Sequence, residues 1–238
     1  MITPALGRLV FGMMILVFTS GLARAERVLL DWSEQTVNEP PAFLTAPAWK
    51  ISLRGEAKTK IVDAKSDPAN PLPDSPLALV VSEKGYVALS LQPFFEQDPS
   101  IKGWIELDLA LPEKGLIGIA LISSPPDSPA PQSDSTTLYT LHFRGDDTTL
   151  VIPGVGGGGG ERFTLPPRLL PGEPQKVRIA WDFEADQPFI TLRLNGEPLL
   201  RRSEPVVLKI DPTVQDTNIN SLIIFVYSGY LGKIVVSE

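Results

Sequence analysis

The chain contains no cysteine. That absence excludes disulfides, thiolate metal sites, thiol nucleophiles and a lipidated N-terminal cysteine together. Histidine is nearly missing as well: His142 stands alone, which leaves little material for a histidine zinc site or a Ser-His-Asp triad. All three methionines lie in the N-terminal segment read below as a leader. The remaining chain must fill its core with Leu, Ile, Val, Phe and Trp, whose less adaptable shapes favour a regular interior. Helix-length segments are scarce too. The nearest, Val214 to Phe225, is rich in β-branched residues and Asn, which disfavours a helix.

What is present begins with an export-type leader. Arg8 precedes the continuous apolar run LVFGMMILVF at 9–18, and Ala23-Arg24-Ala25 sets small residues where a signal peptidase reads. The run is shorter than the roughly 20 residues a membrane span requires. Residues 1–25 are therefore expected to be a secretory signal peptide and 26–238 a single domain, exported to the periplasm or the extracellular medium, with no membrane insertion after cleavage. Arg8 and Arg24 leave with the leader, which takes the basic count from 21 to 19 against 28 acidic residues, a net charge of about −9. That balance argues against nucleic acid or an anionic membrane as partner, since both need clustered positive charge.

Proline and glycine punctuate the rest. DPANPLPDSP at 67–76 carries four prolines, PPDSPAPQSDS at 125–135 is too polar to pack, and Gly156 to Gly160 is a run of five glycines that lacks the Lys-Ser/Thr of a phosphate loop. Between these breaks apolar and polar residues alternate: WKISLR, LALVVS, YVALSL, GWIELDLAL, LIGIALIS, TLYTLHF, LIIFVY and GKIVV. A period of two lines one face of a strand with apolar side chains. The count comes to roughly twelve to fourteen short strands, the signature of two antiparallel sheets packed face to face. Glu83-Lys84-Gly85 reads as a hairpin turn between LALVVS and YVALSL. Trp49, Trp104 and Trp181 are expected in the core.

The clearest stretch is VRIAWDFEADQPFITLRLNGEPLL at 177–200. Val177, Ile179 and Trp181 alternate on one strand, Ile190, Leu192 and Leu194 on the next, and Asn195-Gly196 supplies a turn after it. Together with SLIIFVYSGYLGKIVV at the C-terminus, this pattern resembles the concanavalin A-like lectin/glucanase superfamily, especially its laminin G-like members. The resemblance implies an all-β, two-sheet antiparallel jelly-roll sandwich. It leaves function open, because that fold hosts lectins, glycosidases and adhesion modules.

The most enzyme-like pair is Glu106 and Asp108, two apart and so on one strand face. Glycosidases of the resembled superfamily carry a further carboxylate where this chain has Ala110 or Leu111. Half of a double-displacement pair leaves a solvated strand face as the plainer reading. Calcium is the one cofactor the acidic loops suggest, with Asp182, Glu184 and Asp186 around the hairpin turn as the metal ligands to test. Asp146, Asp147, Asp211, Asp216 and Asn218 mark other loops, and solvation is the plainer reading for all of them. Tyr227 and Tyr230 flank Ser228-Gly229 and are the ligand-binding pair to test, against the plainer reading of edge packing. The function expected is an exported non-catalytic module that binds carbohydrate or an envelope or extracellular protein. The alternatives are a glycan hydrolase or lyase with an atypical site around Glu106 and Asp108, and a structural component of the envelope.

Overall fold

A computed structural model describes residues 26–41, 50–63, 71–82, 85–91, 102–122, 137–144, 148–152, 161–165, 172–186, 189–201, 203–209 and 221–237. The strands are β1 (Glu26–Leu30), β2 (Lys50–Gly55), β3 (Lys58–Asp63), β4 (Leu77–Ser82), β5 (Gly85–Leu91), β6 (Lys102–Ala110), β7 (Leu116–Ile122), β8 (Thr137–Arg144) and β9 (Thr148–Ile152). They continue with β10 (Glu161–Leu165), β11 (Gln175–Asp182), β12 (Phe189–Leu194), β13 (Glu197–Pro198), β14 (Leu200–Arg201), β15 (Glu204–Pro205), β16 (Val207–Lys209) and β17 (Ser221–Ser237). No helix occurs among the described residues.

Among the described residues all pairings are antiparallel. A front sheet runs β3-β4-β17-β6-β11-β12, with β1 also on β17 and with β13 and β16 on β12. A back sheet runs β2-β5-β17-β7-β8-β9-β10. Strand β17 therefore belongs to both layers, and this joint organises the sandwich. Its first part, through Ser228, pairs in the back sheet, and Gly229 onward pairs in the front sheet.

Gly229 sits at the switch with φ 143. A Cβ there would lie 2.8 Å from Leu111 Cδ2 and 2.9 Å from the Ala110 carbonyl oxygen, so only glycine fits. The bend turns the corner without breaking the ladder, as strands that pass between packed sheets do. The runs LIIFVY and GKIVV, read from the sequence as two strands, are thus one. For the same reason LALVVS and YVALSL form no hairpin: β4 pairs with the front half of β17 and β5 with its back half.

Alternation decides what fills the space between the layers. Ile105, Leu107 and Leu109 on β6, Val177, Ile179 and Trp181 on β11, and Ile190, Leu192 and Leu194 on β12 all point inward. They meet Ile117, Ile119, Leu121, Leu141, Phe143, Ile224 and Val226 from the back sheet in one cluster. Water excluded from these rows, at roughly 25 cal/mol per Å² of apolar surface, holds the sheets together. The Asn-Gly turn is present as expected, with φ 52 at Asn195 and φ 83 at Gly196. Two positive φ angles are what the tight turn between β12 and β13 requires.

A second, smaller cluster lies on the outer surface of the front sheet. Val62, Ala78 and Ala110 alternate out of phase with the core, and Leu72 from segment 71–76 covers them, with Val80 and Tyr230 packed alongside. Segment 71–76 thus crosses the outside of the front sheet. It is fastened at a register shift in β17 between Leu231 and Ile234, where the ladder to β6 is interrupted. The buried Trp32 indole donates to the freed carbonyls of Leu231 and Gly232 at 2.9 and 3.1 Å. On the other side, the Lys233 amide donates to Ser75 Oγ at 2.8 Å. Buried backbone groups left by a bulge need such partners.

Candidate functional site

The outer face of β6 presents Trp104, Glu106 and Asp108, because Ile105, Leu107 and Leu109 take the inside. Trp104, expected in the core, is a correction: every residue of GWIELDLAL except Glu106 and Asp108 is Gly or apolar, and the inward phase is already filled. The ring is half-buried on the outer face with the Arg178 guanidinium 4.0 Å over its centroid. Arg178 lies opposite Glu106 in register, and its Nε donates to Glu106 Oε2 at 2.8 Å. Glu106 therefore carries an ion pair with a half-buried arginine.

Asp108 departs from the solvated-face reading. It is only 4% exposed, because segment 71–76 lies over it. Its Oδ2 accepts the Ser75 hydroxyl at 2.8 Å, and Lys176 Nζ stands 4.0 Å from Oδ1. The position that a further carboxylate would need is filled by Ala110 or Leu111, both buried. No second acid faces Asp108 from its own strand except the arginine-bound Glu106.

Beside Asp108 the structure opens a cavity of about 260 Å³, lined by Leu72, Pro73, Asp74, Asp108, Pro174, Gln175, Lys176 and Asn195. Register explains the assembly: Lys176 pairs with Asp108 across β11 and β6, and the Asn195 amide donates to the Lys176 carbonyl at 2.8 Å. The Asn195 side chain is spent on its neighbours. Its Oδ1 accepts the Lys176 amide at 2.8 Å and its Nδ2 donates to Gln175 Oε1 at 2.7 Å. Lys176 Nζ reaches Asp74 Oδ2 at 3.0 Å. The hydrogen bond that the Lys176 ammonium donates to Asp74 holds its pKa above the ordinary value against the opposing effect of burial, with Asp108 and Glu106 adding attraction.

The other sites read from the sequence fall elsewhere. Asp182 ends β11, where its Oδ1 accepts the amides of Glu184 and Ala185 at 3.1 and 3.2 Å and its Oδ2 pairs with the Lys102 ammonium. Burial pushes this carboxyl up, but Lys102 and the two amides outweigh it and hold it below the usual range. Glu184 and Asp186 are exposed. Among the described residues no three carboxylate or histidine side chains converge as metal ligands.

Tyr227 and Tyr230 are separated by the sheet switch at Gly229. Tyr227, 39% exposed, shares its phase with the outward residues of the back sheet. Tyr230 packs in the small cluster outside the front sheet. The two rings therefore belong to opposite outer faces. His142 is half-buried on the face opposite Leu141 and Phe143, as its position in TLYTLHF implied. Trp49, Asp146, Asp147, the glycine run 156–160, the leader 1–25 and Asp211 to Asn220 lie outside the described residues.

Comparison with known proteins supports the fold and no closer kinship. No protein-family model matches the chain, and no curated protein sequence matches it. Solved structures do. The carbohydrate recognition domain of Emp46p, in its metal-free form, superimposes with a TM-score of 0.52 at 11% identity, over 88% of this chain and 95% of that one. An endo-1,3-beta-glucanase from Streptomyces sioyaensis gives 0.55 at 12% identity, over 90% of this chain and 94% of the enzyme. The fold is a concanavalin A-like jelly-roll sandwich. One neighbour is a recognition domain and the other a hydrolase, so architecture does not choose between binding and catalysis.

The cavity itself had no sequence signal. Asp74 sat in a proline-rich loop and Lys176 in an ordinary alternation; the pairing of strands about 70 residues apart brings Lys176 to Asp108, and the Ser75 anchor on Asp108 brings Asp74 beside them.

Proposed function

We propose that this protein is an exported, non-catalytic module that binds carbohydrate. The observation that carries the reading is the engagement of both strand carboxylates by their own surroundings: Arg178 on Glu106 and Ser75 on Asp108, each at 2.8 Å. Double displacement needs an acid/base and a nucleophile about 5 Å apart, both open to one sugar. Asp108 lies beneath segment 71–76, and the positions that would supply a further acid are the buried Ala110 and Leu111. A fold shared with a carbohydrate recognition domain favours a glycan ligand. The cavity beside Asp108 adds what such sites use, an apolar lining with a few fixed polar groups. Export rests on the leader-like segment at residues 1–25.

The test is a glycan array probed with the purified protein, followed by product assays on every glycan retained. Retention of a glycan class with no new reducing ends and no unsaturated products is the expected result. Turnover that disappears in Glu106→Gln would make the protein an enzyme instead.

A further inference from the structure

We infer that the cavity between segment 71–76 and the start of β11 is a subsite for one neutral or amino-bearing sugar unit, and that it rejects uronate and sulfated units. This rests on the carbohydrate reading above and adds the charge class of the ligand.

Size comes first. At about 260 Å³ the cavity falls just below the range of roughly 300–1,000 Å³ typical of small-molecule sites, which suits a single ring and not an oligomer. Pro73 and Pro174 offer apolar surface to the C–H face of such a ring, with the buried Leu72 behind them.

Its hydrogen-bonding groups come in both kinds. Gln175 is only 4% exposed, and its Oε1 is taken by Asn195. With that oxygen engaged, the group Gln175 has to offer at the cavity wall is its amide nitrogen, a donor. Asp108 Oδ1 is an acceptor, since Ser75 engages only Oδ2. The second oxygen of Asp74 is another at the mouth, where Lys176 holds the first. Sugar hydroxyls both donate and accept, so a wall that combines the Gln175 and Lys176 donors with two carboxylate acceptors matches them.

Charge then selects among sugars. Two carboxylates face one ammonium, and that ammonium is already paired, 3.0 Å from Asp74 and 4.0 Å from Asp108. A lysine without partners would recruit a sugar carboxylate; this one is neutralised by its own protein. A uronate would therefore enter a site with one uncompensated negative charge, whereas an amino group would be drawn to it. The discrimination should weaken as salt screens it.

The experiment is calorimetric titration of the purified protein, at low ionic strength, with tetramers of glucosamine, glucose and galacturonic acid. We expect the first two to bind and the third to bind about tenfold more weakly or not at all. Asp74→Asn, at an exposed position, should narrow the gap between glucosamine and galacturonic acid by about tenfold. Lys176→Met should widen it, with the melting temperature of each variant confirming a folded chain. Galacturonic acid binding as tightly as glucosamine, or a preference unchanged in both folded variants, overturns the subsite while leaving the carbohydrate reading in place. Failure of all three probes and of every glycan on the array removes that reading as well.

Discussion

Ser75 donates its hydroxyl to Asp108 Oδ2 at 2.8 Å and, through the same oxygen, accepts the Lys233 amide at 2.8 Å. One fully buried side chain therefore ties segment 71–76 to both β6 and β17. The closeness of this joint is visible at Gly232, where a Cβ would come 2.6 Å from the Ser75 Cβ. Asp108 is thus an anchor for the covering segment and a wall of the cavity at once.

Ser75→Ala removes both contacts and strands a backbone N–H and a carboxylate oxygen away from water. Leaving buried polar groups unpaired costs about 1–3 kcal/mol. The urea midpoint should fall accordingly with the slope unchanged. Asp108→Asn keeps an acceptor for Ser75 and should cost less. A Ser75→Ala protein that unfolds at the parental urea concentration would mean the bridge fastens nothing.

Trp32→Phe tests the other half of the same bulge. Phe preserves most of the apolar bulk but cannot donate to the Leu231 and Gly232 carbonyls, which the indole reaches at 2.9 and 3.1 Å. A loss of about 1–3 kcal/mol is expected. Hydrogen exchange should locate the loss, with faster exchange confined to the end of β17 and its neighbours β1 and β6. Uniform acceleration across both sheets would assign Trp32 to general packing instead.

These joints explain what could and could not be read in advance. The hairpin of β11 and β12 was legible because Val177, Ile179, Trp181, Ile190, Leu192 and Leu194 announce their face by local alternation alone. Trp104 was misplaced because its apolar character was weighed above its phase: alternation sets it on the side of Glu106 and Asp108, opposite Ile105, Leu107 and Leu109. The partner of each carboxylate was hidden for a different reason. Arg178 meets Glu106, and Lys176 meets Asp108, only through a register between strands far apart in the chain. Nor does SGY at 228–230 reveal that a strand continues through it into another sheet; the positive φ at Gly229 is a property of the assembled corner.

Gly229→Ala probes that corner directly. The new methyl would lie 2.8 Å from Leu111 Cδ2 and 2.9 Å from the Ala110 oxygen, at φ 143, which L-residues rarely adopt. Backbone strain alone is worth about 1–3 kcal/mol, and the carbonyl clash adds to it. Gly196→Ala is the control: its φ is 83 but nothing lies within 4 Å. The Gly229 variant should lose clearly more stability than the Gly196 variant. Equal losses would mean that the switch tolerates a side chain and that backbone conformation alone sets the penalty.

Acid should dissolve the Asp182–Lys102 pair in a defined window. Burial disfavours the charged carboxyl, yet Lys102 and the amides of Glu184 and Ala185 hold its folded pKa below the ordinary value. The unfolded chain therefore binds a proton more readily, at a pKa of about 3.9. Stability from the pair is complete above that value and fades as pH falls through the lower, folded one. Lys102 is about half exposed, with 51% of its side-chain surface open, so solvent screening limits the contribution to under about 1 kcal/mol. Asp182→Asn should be less stable than the parent at pH 7, and the difference should begin to narrow once pH falls below about 3.9. Because Lys102 already pairs with Asp182, millimolar calcium should leave the parental melting temperature unchanged. A calcium-dependent rise that Asp182→Asn abolishes would show instead that the lysine yields to the metal and that the acidic turn is a calcium site.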